Sequence, residues 1–325
     1  MEELKKKNRL VSFVKLILLV LLVQFILINI SAALHANKLI HLYDVPEFKK
    51  QTTASRNIFT TTWKLFAGPR YYRAKISEKP YFIYDTVQFK TASQITIDAW
   101  YSKTYSAKGT VILFHGITGN KQQLFGEAYA FKTFGYNVML VDLRSHGNSG
   151  GKKTSIGVKE SEEVKLAYDY CIQHGDKNIF LYGLSMGAVV VSKAIYDYDL
   201  SLSGIIIEMP FASLQDHLKA RARVLGFPEQ PFAFLVTFWL GIEQGFNGFN
   251  HKTTRYVKKI KCPVLMQWGQ LDKYVLEKET ISIFENIASQ QKKLVNYENA
   301  GHSSLLQNDP DKWKNEVEKF LSQHK

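Results

Sequence analysis

Residues Asn178 to Ile195 read NIFLYGLSMGAVVVSKAI. The first half is a short apolar run with strand character and the second half favours a helix. At the junction stands Gly183-Leu184-Ser185-Met186-Gly187. A strand that passes into a helix needs only some short connection, and two glycines around one serine exceed that need. Glycine permits close backbone packing and a strained conformation around a side chain pushed outward. The pattern G-x-S-x-G between strand and helix is a nucleophile elbow, in which the serine hydroxyl stands above the strand ends. Such short patterns also arise by accident, so the reading depends on whether the chain supplies a base, an acid and oxyanion donors.

The segments around the elbow repeat its strand–helix alternation. TVILFHG, NVMLVDLRSHG, NIFLYGLS, LSGIIIEMP and PVLMQWGQLD are short apolar runs typical of strands buried on both faces. Helical stretches fall at 124–133, 158–174, 186–198 and 277–289. KKLVNYENAGH adds a last strand, and residues 310–323 a closing helix. VQFKTASQITIDAWY, from Val87, reads as a hairpin turning at Thr91-Ala92-Ser93. This order predicts an α/β architecture with a mostly parallel sheet flanked by helices, and ligands at the carboxyl ends of its strands. Residues 209–261 interrupt the alternation with far more chain than a crossover needs. They are rich in Phe and Trp, and predict a helical cap over about 213–255. Phe227, Phe232, Phe234, Phe238 and Trp239 of that cap would face a pocket or a membrane, most of them packing on the body and a few meeting substrate.

The 325 residues suffice for one large domain or two small ones. A 46% hydrophobic and 22% charged composition is that of a folded protein. Lys and Arg exceed Asp and Glu by 42 − 29 = 13. No nucleic-acid motif accompanies that excess, so nucleic acid is not an expected partner and an anionic lipid surface is the more economical one. Cys171 and Cys262 lie in apolar contexts, predict buried thiols, and make no disulfide framework.

The N-terminus bears on location. Lys5, Lys6, Lys7 and Arg9 precede an apolar stretch from Leu10 to Leu34, broken by Lys15, Gln24 and Asn29. About 20 helical residues cross a bilayer core, and Lys15 could snorkel to its edge. The organisation expected is a basic cytoplasmic segment 1–9, a transmembrane helix 10–34, a juxtamembrane segment 35–84 and a folded domain 85–325. A cleaved signal peptide, ending near Ser31-Ala32-Ala33, is the alternative, and would make the protein secreted. On either reading the basic cluster outweighs Lys38, Lys49 and Lys50, which keeps the N-terminus cytoplasmic and the large domain extracytoplasmic.

From about Val87 onward the chain resembles the α/β-hydrolases, closest to capped lipase, esterase and serine-peptidase-like members of the bacterial-type, bem46-like group. The resemblance rests on LFHGITGN, DLRSHGNSGG, GLSMG, GQLDKYV and NAGHSSL in that order. It implies Ser185 as nucleophile, His302 as general base and Asp272 as the carboxylate that orients it, the order Ser…Asp…His stated for this fold. It implies the Ile117 and Met186 amides as the oxyanion hole. His115 would brace its loop, and Asp142, Arg144 and His146 would hold neighbouring loops. The activity implied is cleavage of a carboxylic ester or thioester of a hydrophobic acyl substrate, without metal or organic cofactor. Peptide or amide cleavage and acyl transfer use the same triad. A binding protein that keeps only the fold is the alternative of another class.

Overall fold

The computed structural model describes residues 1–44 and 58–324. Lys49, Lys50 and the middle of the segment read as juxtamembrane lie outside the described residues. Helix α1 runs from Glu2 to Ile40, 39 residues. It outruns the expected 10–34 span at both ends for two reasons. Glu2 to Arg9 are residues a helix accommodates readily, and the last turns are clamped by the folded body, with Ala32, Ala36, Leu39 and Ile40 buried. At about 1.5 Å per residue the rod is roughly twice as long as a bilayer core is thick. From Leu10 to Ile30 its apolar side chains are exposed.

After α1, strand β1 (Leu42–Tyr43) pairs in parallel with β2 (Tyr71–Tyr72), and helix α2 (Ile58–Ala67) lies between them. Arg73 then ties this region to the body, donating to the carbonyls of Ser149 at 3.0 Å and Gly151 at 2.7 Å.

The body is built on one eight-stranded sheet. Strands β3 (Asp85–Lys90) and β4 (Thr96–Ser102) form the hairpin, and β5 is Thr110–Phe114. Then come α3 (Phe125–Thr133), β6 (Asn137–Val141), α4 (Ser161–Gln173), β7 (Ile179–Leu184), α5 (Met186–Asp197) and β8 (Gly204–Glu208). The order across the sheet ends on two later strands, β9 (Val264–Gly269) and β10 (Lys292–Tyr297): β10-β9-β8-β7-β5-β6-β4-β3. Only β3 with β4 and β4 with β6 are antiparallel. Every residue of β5, β7, β8 and β9 is buried, as their near-continuous apolar runs require of a sheet covered on both faces. The chain steps from β5 outward to β6 and returns to β7 on the other side of β5. This reversal opens a crevice at the carboxyl ends of β5 and β7, where such sheets hold ligands.

Between β8 and β9 lie α6 (Leu214–Leu225), α7 (Glu229–Gln244) and the short α8 (Thr253–Tyr256). The local sequence sets these boundaries. Ser213 caps α6 by accepting from the Asp216 amide at 3.1 Å, and Gly226 and Gly245 close α6 and α7 in the left-handed conformation. An antiparallel bridge between Ser213 and Lys252 draws the neck of the insertion together. Helix α7 also binds α1: Trp239 Nε1 donates to Asn29 Oδ1 at 3.3 Å, and Asn37 Nδ2 donates to Glu243 Oε1 at 3.0 Å. Helix α9 (Glu277–Asn286), the short α10 (Leu305–Asn308) and α11 (Pro310–Gln323) complete the chain. Asp309 caps α11 with Pro310 in its first turn, and Trp313, Val317, Phe320 and Leu321 bury one face. Cys171 and Cys262 are free thiols, the first buried and the second half-buried.

Candidate active site

Ser185 sits where β7 ends and α5 begins, with φ 53° and ψ −111°. An L-residue with positive φ is strained, and the surroundings hold it there. The Ser185 amide donates to the Glu208 carbonyl at 2.8 Å, and its own carbonyl accepts from Ala188 at 3.0 Å. The flanking glycines follow from close approach. A Cβ on Gly183 would lie 2.5 Å from the Ala188 nitrogen, and one on Gly187 would collide with the Phe114 carbonyl. The elbow is wedged between its own helix and the neighbouring strand β5, so neither position has room for a side chain.

Three loops bring the other polar groups to this point. His302, beyond β10, places Nε2 2.9 Å from Ser185 Oγ. Asp272, beyond β9, places Oδ2 2.6 Å from His302 Nδ1. The remaining Asp272 oxygen accepts from the Tyr274 amide at 2.7 Å and the Val275 amide at 2.9 Å. The Asp272 side chain has no solvent exposure, whereas that of His302 is 22% exposed. With Asp272 ionised, Nδ1 carries the imidazole proton and Nε2 faces the serine as an acceptor. All three residues expected from sequence are therefore in one hydrogen-bonded line.

Ile117 and Met186 are the residues expected to supply the oxyanion donors. Ile117 lines the cavity above Ser185, and the Met186 amide is the first of α5, where helix amides lack an intrahelical partner. The loop that carries Ile117 is braced from behind. The buried His115 donates through Nδ1 to the Gly116 carbonyl at 2.7 Å and accepts at Nε2 from the Leu143 amide at 3.1 Å. Burial pushes its pKa down to about 4, which keeps the ring neutral and able to do both. Gln123 Oε1 accepts from the Gly116 amide at 3.2 Å.

The DLRSHGNSGG loop acts as a brace. Asp142 accepts from the amides of Lys121 at 2.7 Å and Asn148 at 2.8 Å, and its carboxylate meets the Lys121 ammonium at 2.9 Å. Arg144 pairs with Glu163, and His146 Nδ1 donates to the Arg144 carbonyl at 2.8 Å. None of these three lines the serine cavity.

The cavity holds about 370 Å³. Phe227, Phe232, Phe234, Phe238 and Trp239, expected to face a pocket or a membrane with a few meeting substrate, are all absent from its lining. Phe227 and Phe232 turn instead toward α1, and Phe234 and Phe238 are exposed on the outside of α7. The aromatic walls are Tyr71, Phe211 and Tyr274, joined by His217 and Arg221 of α6. Sequence reasoning passed over these residues. Tyr71 belongs to a segment without periodicity, brought to the site by its pairing with β1. His217 and Arg221 are four residues apart on one helix face, a spacing visible in sequence but without meaning until the direction of that face is known.

A family model described as serine aminopeptidase, S33, matches residues 105–241. Among curated proteins, the chain is 26% identical over 231 residues to the uncharacterized protein YqkD of Bacillus subtilis, covering 69% of this chain and 75% of that one. It is 23% identical over 234 residues to protein bem46 of Schizosaccharomyces pombe, covering 70% and 73%. It is also 23% identical over 291 residues to the caffeoylshikimate esterase of Arabidopsis thaliana, covering 77% and 86%. Among solved structures, the Pyrococcus furiosus esterase Pf2001 superimposes with a TM-score of 0.65 at 24% identity, over 78% of this chain and 98% of that chain. An esterase from Exiguobacterium antarcticum does so with a TM-score of 0.56 at 16% identity, over 73% and 100%. The strand order and these structural likenesses give the chain an α/β-hydrolase fold.

Proposed function

We propose that the protein is a membrane-anchored serine hydrolase that cleaves the carboxylic ester or thioester of a hydrophobic acyl substrate. Ser185 attacks the acyl carbonyl while His302 Nε2 takes the hydroxyl proton, and the proton then passes to the leaving alcohol or thiol. Asp272 holds the imidazole in its reactive tautomer and stabilises the imidazolium. The Ile117 and Met186 amides receive the oxyanion. Water repeats the sequence on the acyl-enzyme, with His302 again as base. The observation that carries this reading is the Ser185–His302–Asp272 line, with contacts of 2.9 and 2.6 Å at the floor of a cavity. Esterase names among the similar proteins favour ester over amide cleavage. The serine aminopeptidase family match favours a peptide-like substrate as the second reading.

The basic residues before the apolar helix favour a cytoplasmic N-terminus and a domain on the outer side. The test is covalent labelling of membranes by a fluorophosphonate, comparing the protein with Ser185→Ala. Labelling lost in the variant supports an activated serine. Absence of labelling in folded protein, with and without detergent, would move the assignment to a binding protein. A panel of acyl esters and aminoacyl amides then separates the two readings.

A further inference from the structure

Beside the serine cavity the structure holds an apolar groove of about 790 Å³. Its walls come from three elements: Leu27 and Ile28 of α1, Thr62 and Phe66 of α2, and Phe232 and Leu235 of α7. Its position on α1 matters. Leu27 and Ile28 lie inside the stretch 10–34, so with α1 spanning a bilayer the groove would open at the depth of the acyl chains, beside the folded domain. The surface beside it fits that setting. Ile58, Phe59 and Trp63 of α2 and Phe234 and Phe238 of α7 are exposed large apolar side chains, the composition of a surface seated in a bilayer interface.

The groove continues toward Ser185. Phe232 is shared between it and a narrow seam, and Tyr71 and Arg221 are shared between that seam and the serine cavity. The seam holds only about 10 Å³. It is closed by the Arg221 guanidinium, which rests 4.5 Å from the centre of the Tyr71 ring. Among the described residues the Arg221 guanidinium has no carboxylate partner and makes no hydrogen bond. His217, one turn away on α6, is 7% exposed, and its Nε2 also has no partner among the described residues. Two nitrogen-bearing groups, one cationic, therefore stand unsatisfied at the junction of an apolar groove and a serine site.

We propose that the groove is a binding site for an acyl chain of a phosphate-bearing bilayer lipid, and that Arg221, with His217, binds the phosphate at its inner end. In this arrangement α1 does more than tether the domain, because it forms one wall of the lipid site. A phosphate that draws the guanidinium off Tyr71 opens the seam and presents an ester of the same lipid to Ser185. This last point rests on the hydrolase reading; the binding site does not.

The test uses the full chain as Ser185→Ala, reconstituted in phosphatidylcholine vesicles with a trace of phosphatidylglycerol carrying a diazirine in its acyl chain. After irradiation, peptides are mapped by mass spectrometry. Crosslinks are expected on α2 and on α7 near Phe232 and Leu235. Thr62→Trp, at an exposed position, fills the groove and removes them, and Leu235→Trp does the same from the opposite wall. Arg221→Ala is expected to lower groove labelling by about tenfold, the factor for losing a charge-assisted hydrogen bond. Crosslinks confined to the free face of α1 between Leu16 and Val23 would overturn the site. Equal groove labelling by a diacylglycerol probe, which has no phosphate, and by the phosphatidylglycerol probe, unchanged in Arg221→Ala, would overturn the phosphate assignment. Groove labelling in a protein whose Ser185 never reacts with fluorophosphonate would retain the lipid site and remove the hydrolase.

Discussion

Asp272 Oδ2 lies 2.6 Å from His302 Nδ1, while the other oxygen of the same carboxylate is held by the Tyr274 and Val275 amides. The amides fix the carboxylate before the histidine uses it, so the imidazole finds an oriented acceptor. His302 is more exposed than its partner, which is the arrangement a ring needs if it must reach both serine and leaving group.

Asp272→Asn should test that arrangement without disturbing the fold. An asparagine keeps an oxygen for the two loop amides but turns an NH₂ toward His302. The ring must then carry its proton on Nε2, where it can no longer accept from Ser185. Turnover of an activated ester is expected to fall by about 10⁴, as for the equivalent change in a serine protease triad. The melting temperature should stay close to that of the parent. Retention of most of the activity would show that another group orients the base.

Gly187→Ala addresses the elbow. The added methyl meets the Phe114 carbonyl, a backbone atom of a central strand that cannot swing aside. Either α5 shifts or β5 does, and both carry the site. A loss of about 1–3 kcal/mol in unfolding free energy is expected from overpacking. Fluorophosphonate labelling should fall even in the fraction that folds. A variant that labels at the parental rate would mean the elbow has slack.

The elbow and the triad were legible in sequence because their constraints are local. Ser185 and Asp272 follow strands that announce themselves by mostly apolar runs, His302 follows the alternating KKLVNY of β10, and strand order then fixes which loops meet. The closing helix was equally plain, since Asp309-Pro310 marks its start. The aromatic residues of the insertion were legible only in part, because amphipathic composition says that a face is buried and not what buries it. Here α1, more than 200 residues away in sequence, covers part of the insertion that would otherwise look inward. Tyr71 was invisible for the same reason: a two-residue strand pairing across a long connection leaves no period to read.

Lys121 supplies a stability prediction. Its side chain has no exposure and lies between Asp98 and Asp142 beneath the loop that carries Ile117. It also lies 4.4 Å from the centre of the Trp100 ring. Lys121→Met would fill the same volume but leave two buried carboxylates facing each other. A loss of about 3–5 kcal/mol is expected, the cost of breaking a buried pair by removing one partner. Denaturant unfolding measures it, and a loss below about 1 kcal/mol would place the pair in the weak class typical of exposed surface pairs.

Glu208 makes stability depend on pH between 4.5 and 8. It is fully buried at the end of β8, beside the elbow, where Oε1 accepts from Trp313 Nε1 at 2.6 Å and Gln267 Nε2 at 3.0 Å. Burial, reinforced by the nearby Glu127, raises its pKa from 4.5 to about 8. Between these values the folded protein keeps a proton that the unfolded chain has released. Stability from this group is therefore full below pH 4.5 and is lost as pH rises toward 8. His115 and His251 work in the opposite sense. Burial lowers both to about 4, so their contribution is present above 6.5 and lost as pH falls toward 4. Glu208→Gln isolates the first limb. The amide keeps an oxygen for Trp313 and Gln267, and its NH₂ can donate to the Tyr182 hydroxyl, which has no partner among the described residues. Melting curves of parent and variant should nearly coincide close to pH 4.5 and separate as pH approaches 8, with the variant the more stable. Curves that stay parallel across that window would mean that Glu208 is ionised in the folded protein.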